Sequence, residues 1–237
     1  MNDYKTIGII GGMGPLATYD LGGKILSNTA AACDQDNIPL LIDCNTRIAD
    51  RTAAILHGGA DPVPELKKSA KRLEEAGADA LVMACNTAYY FYDRVCEDIS
   101  IPMIHMPRET AQRLVEKGVK KAAVLATDGT RLAGVYGKAL EEAGIEAVYP
   151  SEDNQKAIMD LIYGHVKAGI MDFSDVDIEG IVSDVQEKGA EVLLLGCTEL
   201  PIVFGSIGGT ALPVIDPTTV LARAAVSFAG APLKDQQ

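Results

Sequence analysis

No stretch of the sequence approaches the apolar length that a bilayer requires, and the start, Met1-Asn2-Asp3-Tyr4-Lys5, lacks a charged n-region and long h-region. Membrane insertion and secretion are therefore not expected. Positive charge is scarce: 21 Lys and Arg stand against 33 Asp and Glu, for a net charge of -12. That balance disfavours nucleic acid or an anionic membrane as a partner. It does not exclude a small anionic ligand, because one or two local cations hold a carboxylate whatever the global charge. Cysteines number five, an odd count without paired short spacings, so neither a disulfide framework nor a zinc site is expected. Reduced thiols in a cytoplasm fit better. What is present is ordinary for a globular protein: 237 residues, 48% of them hydrophobic, enough for one large or two small domains around a real core.

Short apolar runs alternate with longer helical patterns. The first pair is Thr6-Ile7-Gly8-Ile9-Ile10 and a helix-like stretch from Pro15 to about Ala31. Further strands are expected at Leu40 to Cys44, Ala80 to Ala84, Pro102 to His105, Ala122 to Ala126, Glu146 to Tyr149, Val192 to Gly196 and Pro213 to Ile215. They are short and, apart from Asp43 and Glu146, free of acidic and basic charge, as buried parallel strands should be. Ile178, Ile181, Val182 and Val185 fall at i, i+3, i+4 and i+7 behind Ser174-x-x-Asp177, read as a capping box. The fold class is α/β throughout.

The chain also echoes itself. Glu75-Ala76-Gly77-Ala78-Asp79-Ala80-Leu81-Val82-Met83-Ala84-Cys85 lines up with Glu187-Lys188-Gly189-Ala190-Glu191-Val192-Leu193-Leu194-Leu195-Gly196-Cys197 at an offset of 112 residues. Ile101-Pro102-Met103-Ile104 likewise resembles Leu212-Pro213-Val214-Ile215. Two similar α/β domains follow, residues 1–106 and 107–215, with the C-terminal 216–237 crossing back to the first. Cys85 and Cys197 each end a strand. In parallel α/β sheets ligands bind at the carboxyl ends of strands. Were the halves to face each other about a pseudo-twofold axis, one thiol would stand on each wall of a cleft. That suits a reaction in which a proton leaves one face of a carbon and another arrives on the opposite face. Cys85-Asn86-Thr87 and Cys197-Thr198-Glu199 each join a strand to an expected helix start, whose N–H groups bind a carboxylate and lower a thiol pKa. The hydroxyls of Thr87 and Thr198 and the amide of Asn86 are candidates to hold a substrate carboxylate. Against this stands the plain alternative that a strand cysteine is a small apolar filler, to which Cys33, Cys44 and Cys96, without an echo, are assigned.

The chain resembles the aspartate/glutamate racemase superfamily, in particular its aspartate racemase branch. The residues that carry this are Ile9-Ile10-Gly11-Gly12-Met13-Gly14-Pro15-Leu16-Ala17-Thr18, Asp50-Arg51-Thr52, Ala84-Cys85-Asn86-Thr87-Ala88, Val166-Lys167-Ala168-Gly169 and Gly196-Cys197-Thr198-Glu199-Leu200-Pro201. The resemblance implies two similar three-layer α/β domains with parallel sheets related by a pseudo-twofold axis, and a homodimer. It implies a two-base reaction at Cys85 and Cys197 without pyridoxal phosphate or metal, acting on a small amino-acid substrate. It further implies that Arg51 and Lys167 hold the substrate's distal carboxylate, that Gly12 and Gly14 let the loop approach the substrate, and that Met13 shapes its wall. Glu199 takes a supporting role beside Cys197, where cell-wall glutamate racemases typically carry a histidine. A carboxylate there would raise the thiol pKa rather than lower it. His57, His105 and His165 lie outside these motifs and are read as structural.

Rival readings remain. Gly12-x-Gly14-x-x-Ala17 after a strand also satisfies a dinucleotide-binding fingerprint, with Asp34 or Asp36 about 20 residues on. Within the superfamily, a broad-specificity racemase, maleate isomerisation, hydantoin racemisation or malonate decarboxylation use related cysteine chemistry. A binding protein that has lost turnover is the alternative from another class.

Overall fold

The computed structural model describes residues 3–235, and these separate into two compact units. One comprises the residues up to Glu109 together with those from Thr218 onward; the other is Thr110–Pro217. Each is built around a parallel sheet, making the fold α/β.

In the first unit, β1 (Ile7–Gly11) leads through α1 (Pro15–Asn28) to β2 (Leu40–Cys44). After α2 (Arg51–Leu56) and α3 (Val63–Glu75) comes β3 (Ala80–Met83), then α4 (Tyr92–Cys96); α5 (Met106–Glu116) begins in the first unit and ends in the second. The sheet order is β2-β1-β3, with Ile9 paired to Ile42 on one side and to Val82 on the other. β1 and β3 are buried along their whole length, which is why both read as uninterrupted apolar runs. Burying each such Ile, Leu or Val contributes about 1.5–3 kcal/mol.

The second unit repeats this plan. Its elements are β4 (Lys121–Leu125), α6 (Asp128–Leu132), α7 (Val135–Glu142), β5 (Glu146–Val148) and α8 (Glu152–Asp160). They continue with α9 (Ile178–Glu187), β6 (Val192–Leu195), α10 (Leu200–Ser206) and β7 (Val214–Ile215). The order is β5-β4-β6-β7, so β4 is central as β1 is in the first sheet. α11 (Pro217–Ala229) ends the chain's regular structure. It is tied to the first unit where Lys24 Nζ donates to Thr218 Oγ1 at 2.7 Å and Lys5 N–H to the Ala229 carbonyl at 3.1 Å.

Two local expectations need correction. Pro102 to His105 is not a strand: it makes a single bridge, Leu81 to Met103, closed by Leu81 N–H on the Pro102 carbonyl and Ile104 N–H on the Leu81 carbonyl. Pro102 has no N–H to extend the ladder, and α5 begins at Met106. The cap of α9 is Asp177, whose Oδ1 accepts from Gly180 N–H at 2.8 Å, and not Ser174, three residues too early. The apolar face behind it, Ile178, Ile181, Val182 and Val185, is buried as its spacing predicts. Among the described residues no helix is long and apolar enough to cross a membrane.

Candidate active site

Parallel pairing brings the loops after β1 and β3 to the same sheet end, because Ala84 N–H donates to the Ile10 carbonyl. Gly11, Gly12 and Met13 therefore leave the sheet beside Ala84, Cys85, Asn86 and Thr87. Cys85 is 5% exposed, and Met13, Asn86 and Thr87 are buried with it. Gly12 adopts φ +88°, and a Cβ built there would stand 2.3 Å from the Asn45 carbonyl carbon. Its N–H donates to Thr18 Oγ1 at 2.8 Å, and Thr18 Oγ1 donates on to the Gly14 carbonyl at 2.9 Å. The glycine loop is thus folded tightly onto Asn45 and Thr18, and the close approach that Gly12 permits is to the protein's own backbone.

Arg51 opens α2 behind the Asp50 cap, which accepts from Ala53 N–H at 2.7 Å. The guanidinium is buried and donates to the carbonyls of Met13 at 2.9 Å and Ala49 at 3.0 Å. It pins the loop that follows β1. Beneath Cys85, the Tyr89 hydroxyl accepts from Met83 N–H and donates to the Ile104 carbonyl. Burial pushes its pKa well above the usual phenol range.

The second unit places Cys197 by the same route. Gly196 N–H donates to the Leu125 carbonyl at 2.7 Å, and Cys197 follows, 6% exposed. Its surroundings differ. Cys197 Sγ lies 3.0 Å from Glu199 Oε2, Thr198 Oγ1 also donates to that oxygen at 3.0 Å, and Lys167 Nζ meets Glu199 Oε1 at 2.8 Å. Lys167 arrives there on an unusual turn: α8 widens into a π-helical turn over Leu161–His165, continues as a 3-10 turn over Val166–Ala168, and stops at Gly169 with φ +80°. Its ammonium also lies 5.6 Å from the Tyr163 ring centroid.

The expectation that a helix start lowers the thiol pKa fails at Cys197. Burial pushes the thiol up, and the Glu199 carboxylate beside it pushes further in the same direction, with Lys167 opposing only in part. Burial also works to raise Glu199, but the Lys167 ammonium and the hydrogen bonds from Cys197 and Thr198 outweigh it and hold the carboxyl below its usual range.

Sequence reasoning missed two features. Gln155, buried on α8, donates from Nε2 to the Ala126 carbonyl and to Asp128 Oδ1, both at 2.9 Å, and so secures the loop after β4. In that loop Thr127 caps α6, accepting from Thr130 N–H at 3.2 Å, and both threonines are buried at the sheet end that carries Cys197. The strand expected at Ala122 to Ala126 was the only signal available. His165 is structural in its contacts: Nδ1 faces the Asp160 carbonyl at 3.2 Å and Nε2 faces Asp175 Oδ1 at 3.1 Å. A groove of about 1040 Å³ in this unit, lined by Phe173, Asp175, Asp177, Ile178, Val182 and Ile207, contains none of the candidate catalytic or substrate-binding residues. Its carboxylates would repel an anionic ligand. Among the described residues no group of three or more His, Cys, Asp or Glu side chains is placed to hold a metal ion.

Comparison with known proteins identifies the family. The family described as Asp/Glu/hydantoin racemase matches residues 10–225. A broad-specificity amino-acid racemase of Bacillus subtilis is 30% identical over 231 residues, covering 93% of this chain and 96% of its own. The structure of Picrophilus torridus aspartate racemase superposes with a TM-score of 0.80 at 32% identity, over 97% of this chain and 96% of that one. An aspartate racemase homologue from Pyrococcus horikoshii gives 0.77 at 27% identity, over 95% and 99%. The chain belongs to the Asp/Glu/hydantoin racemase family and is an amino-acid racemase.

Proposed function

We propose that the protein racemises an acidic amino acid, aspartate or glutamate, without a cofactor, by transferring the α-proton between two cysteines. One thiolate removes the α-proton, so that an S–H bond forms as the C–H bond breaks. The other thiol then delivers its proton to the opposite face of the carbanion-like carbon, regenerating a thiolate. The observation that carries this reading is the pairing of Cys85 and Cys197, two buried thiols at equivalent strand ends of two units built on one plan. Stabilising charge on the substrate carboxylate falls to Asn86, Thr87 and Thr198. Arg51 and Lys167 supply the positive charge that favours an acidic side chain. The likeness to an aspartate racemase at 32% identity, and to an aspartate racemase homologue at 27%, supports the same choice. The reading includes a homodimer in the cytoplasm, tested by light scattering and by fractionation.

One observation favours a second reading, broad specificity: both cations are engaged by the protein itself, Arg51 with backbone carbonyls and Lys167 with Glu199, and the Bacillus subtilis relative is a broad-specificity racemase. Incubation of the nineteen chiral standard L-amino acids in deuterium oxide, with α-deuterium read by mass spectrometry and enantiomer ratio by chiral chromatography, decides between them. Exchange confined to aspartate and glutamate is expected. Comparable exchange of neutral side chains would move the assignment to the broad reading, and no exchange at all would leave a binding protein. Cys85→Ser and Cys197→Ser should each abolish racemisation in both directions, and normal turnover by either variant refutes the two-cysteine scheme.

A further inference from the structure

Glu199 is a buried carboxylate engaged on both oxygens, by Lys167 Nζ on Oε1 and by Cys197 Sγ and Thr198 Oγ1 on Oε2. An ionised carboxylate only accepts hydrogen bonds, so the hydrogen between Sγ and Oε2 belongs to the sulfur. In the first half, the position matching Glu199 in the 112-residue offset is Thr87, a neutral hydroxyl. The two thiols hold equivalent places in the fold, and of the two only Cys197 is followed two residues on by a carboxylate.

We propose that Glu199 is a positioning residue that keeps Cys197 loaded with its proton in the ligand-free protein, with Lys167 holding Glu199 ionised, so that Cys197 begins as the acid and Cys85 as the base. The last clause rests on the function proposed above; the first does not. When Cys197 gives its proton to the substrate carbon, its sulfur becomes an anion 3.0 Å from an anionic oxygen. Like charges at that distance disfavour the state and pull a proton back onto Cys197, resetting the pair. Lys167, bound to the other carboxylate oxygen, limits this repulsion.

The test titrates Cys197 in the full-length protein. Thiolate absorbance is recorded against pH with and without Cys197→Ser, in the natural background and in Glu199→Gln, and iodoacetamide labelling of Cys197 is followed by peptide mass spectrometry with exposed Cys33 as internal standard. Removing the charge at Glu199 should lower the Cys197 midpoint by about one pH unit or more, which is roughly tenfold faster labelling at a fixed neutral pH. The alkaline limb of kcat/KM should move down with it, a change that a merely structural role would not produce. An unchanged or raised midpoint overturns the proposal. Glu199→Asp keeps the charge beside Lys167 while withdrawing it from Sγ; it should shift the midpoint in the same direction by less, and it decides the matter if Glu199→Gln fails to fold. A protein that exchanges no α-hydrogen yet shows the Cys197 shift refutes the proposed function and leaves the role of Glu199 standing. Exchange without the shift does the reverse.

Discussion

Replacing Gly12 by alanine tests whether the glycine loop is shaped by the protein or by a ligand. The backbone at Gly12 has φ +88°, and the added Cβ would stand 2.3, 2.4 and 2.7 Å from the carbonyl carbon, oxygen and nitrogen of Asn45. Asn45 has no room to retreat: its Nδ2 donates to Ser69 Oγ at 3.1 Å and Glu65 Oε2 at 3.2 Å, and its Oδ1 accepts from Arg47 N–H. A non-glycine residue in the left-handed region costs about 1–2 kcal/mol. Forcing a methyl into packed backbone adds about 1–3 kcal/mol. The loss should therefore be about 2–5 kcal/mol against a usual total of about 5–15 kcal/mol. Gly23→Ala is the internal control, since that residue lies inside α1 with nothing within 4 Å of its Cβ position; it should gain about 0.5–1 kcal/mol. Urea unfolding followed by far-ultraviolet circular dichroism reads both variants. If Gly12→Ala costs no more than about 0.5 kcal/mol, the level of an ordinary surface change, the steric argument is wrong.

Other contacts give further expectations. Gln155→Glu preserves shape but turns an acceptor toward the Ala126 carbonyl and Asp128 Oδ1, so it should cost more than Gln155→Ala, itself about 1–3 kcal/mol for stranding buried acceptors. Hydrogen exchange of the β4 and α6 amides reports it, and equal protection in all three proteins would remove Gln155 from its assigned place. His165 is held above its usual pKa by the Asp160 carbonyl and, opposed by burial, by Asp175, with Asp160 and Asp172 also near. Its contribution to stability is complete below the unfolded value of about 6.5 and is lost as pH rises through the raised folded value. The imidazole titration by NMR should therefore move down toward about 6.5 in Asp175→Asn, and a midpoint unmoved by that change would contradict the ion pair. Glu74 is pulled down to about 2 by Lys71 and then by the hydroxyl and N–H of Ser100. Its contribution is present above the unfolded value of about 4.3 and disappears as pH falls toward the folded one. Glu74→Gln should flatten the stability profile across that acid window, and a profile matching the natural protein would exclude the contact as its source.

The strands at Ala80 and Val192 were legible because burial on both faces leaves nothing but apolar residues, and both runs end in the structure within a residue of where their composition changes, whereas β2 carries Asp43 and is only partly buried. Pro102 to His105 has the same composition and fails as a strand, since its ladder depends on an N–H that proline lacks and on where α5 starts. Composition alone does not carry that information. The polar partners were least legible. Lys167 and Glu199 lie far apart in the chain with no periodic relation, and only the widened turn at Leu161–His165 with the stop at Gly169 delivers the ammonium to the carboxylate. Gln155 likewise sits on an amphipathic helix where a polar residue reads as solvent-facing until the β4 loop is seen folded over it.

A duplicated scaffold accounts for the equivalence of the two cysteines but not for their chemistry. Both units carry a thiol to the end of a strand beside the central one, through the same bond from the residue after the flanking strand to the central strand's carbonyl. The sheet can repeat that placement without specifying a charge. Charge is set one and two residues later, where Asn86-Thr87 in one half becomes Thr198-Glu199 in the other. Burial and the Glu199 carboxylate both favour the protonated form of Cys197, so in the proposed scheme the acid is loaded at the start. The repeated backbone supplies a thiol in each unit, and in the proposed scheme the Glu199 side chain decides which of the two carries the proton first.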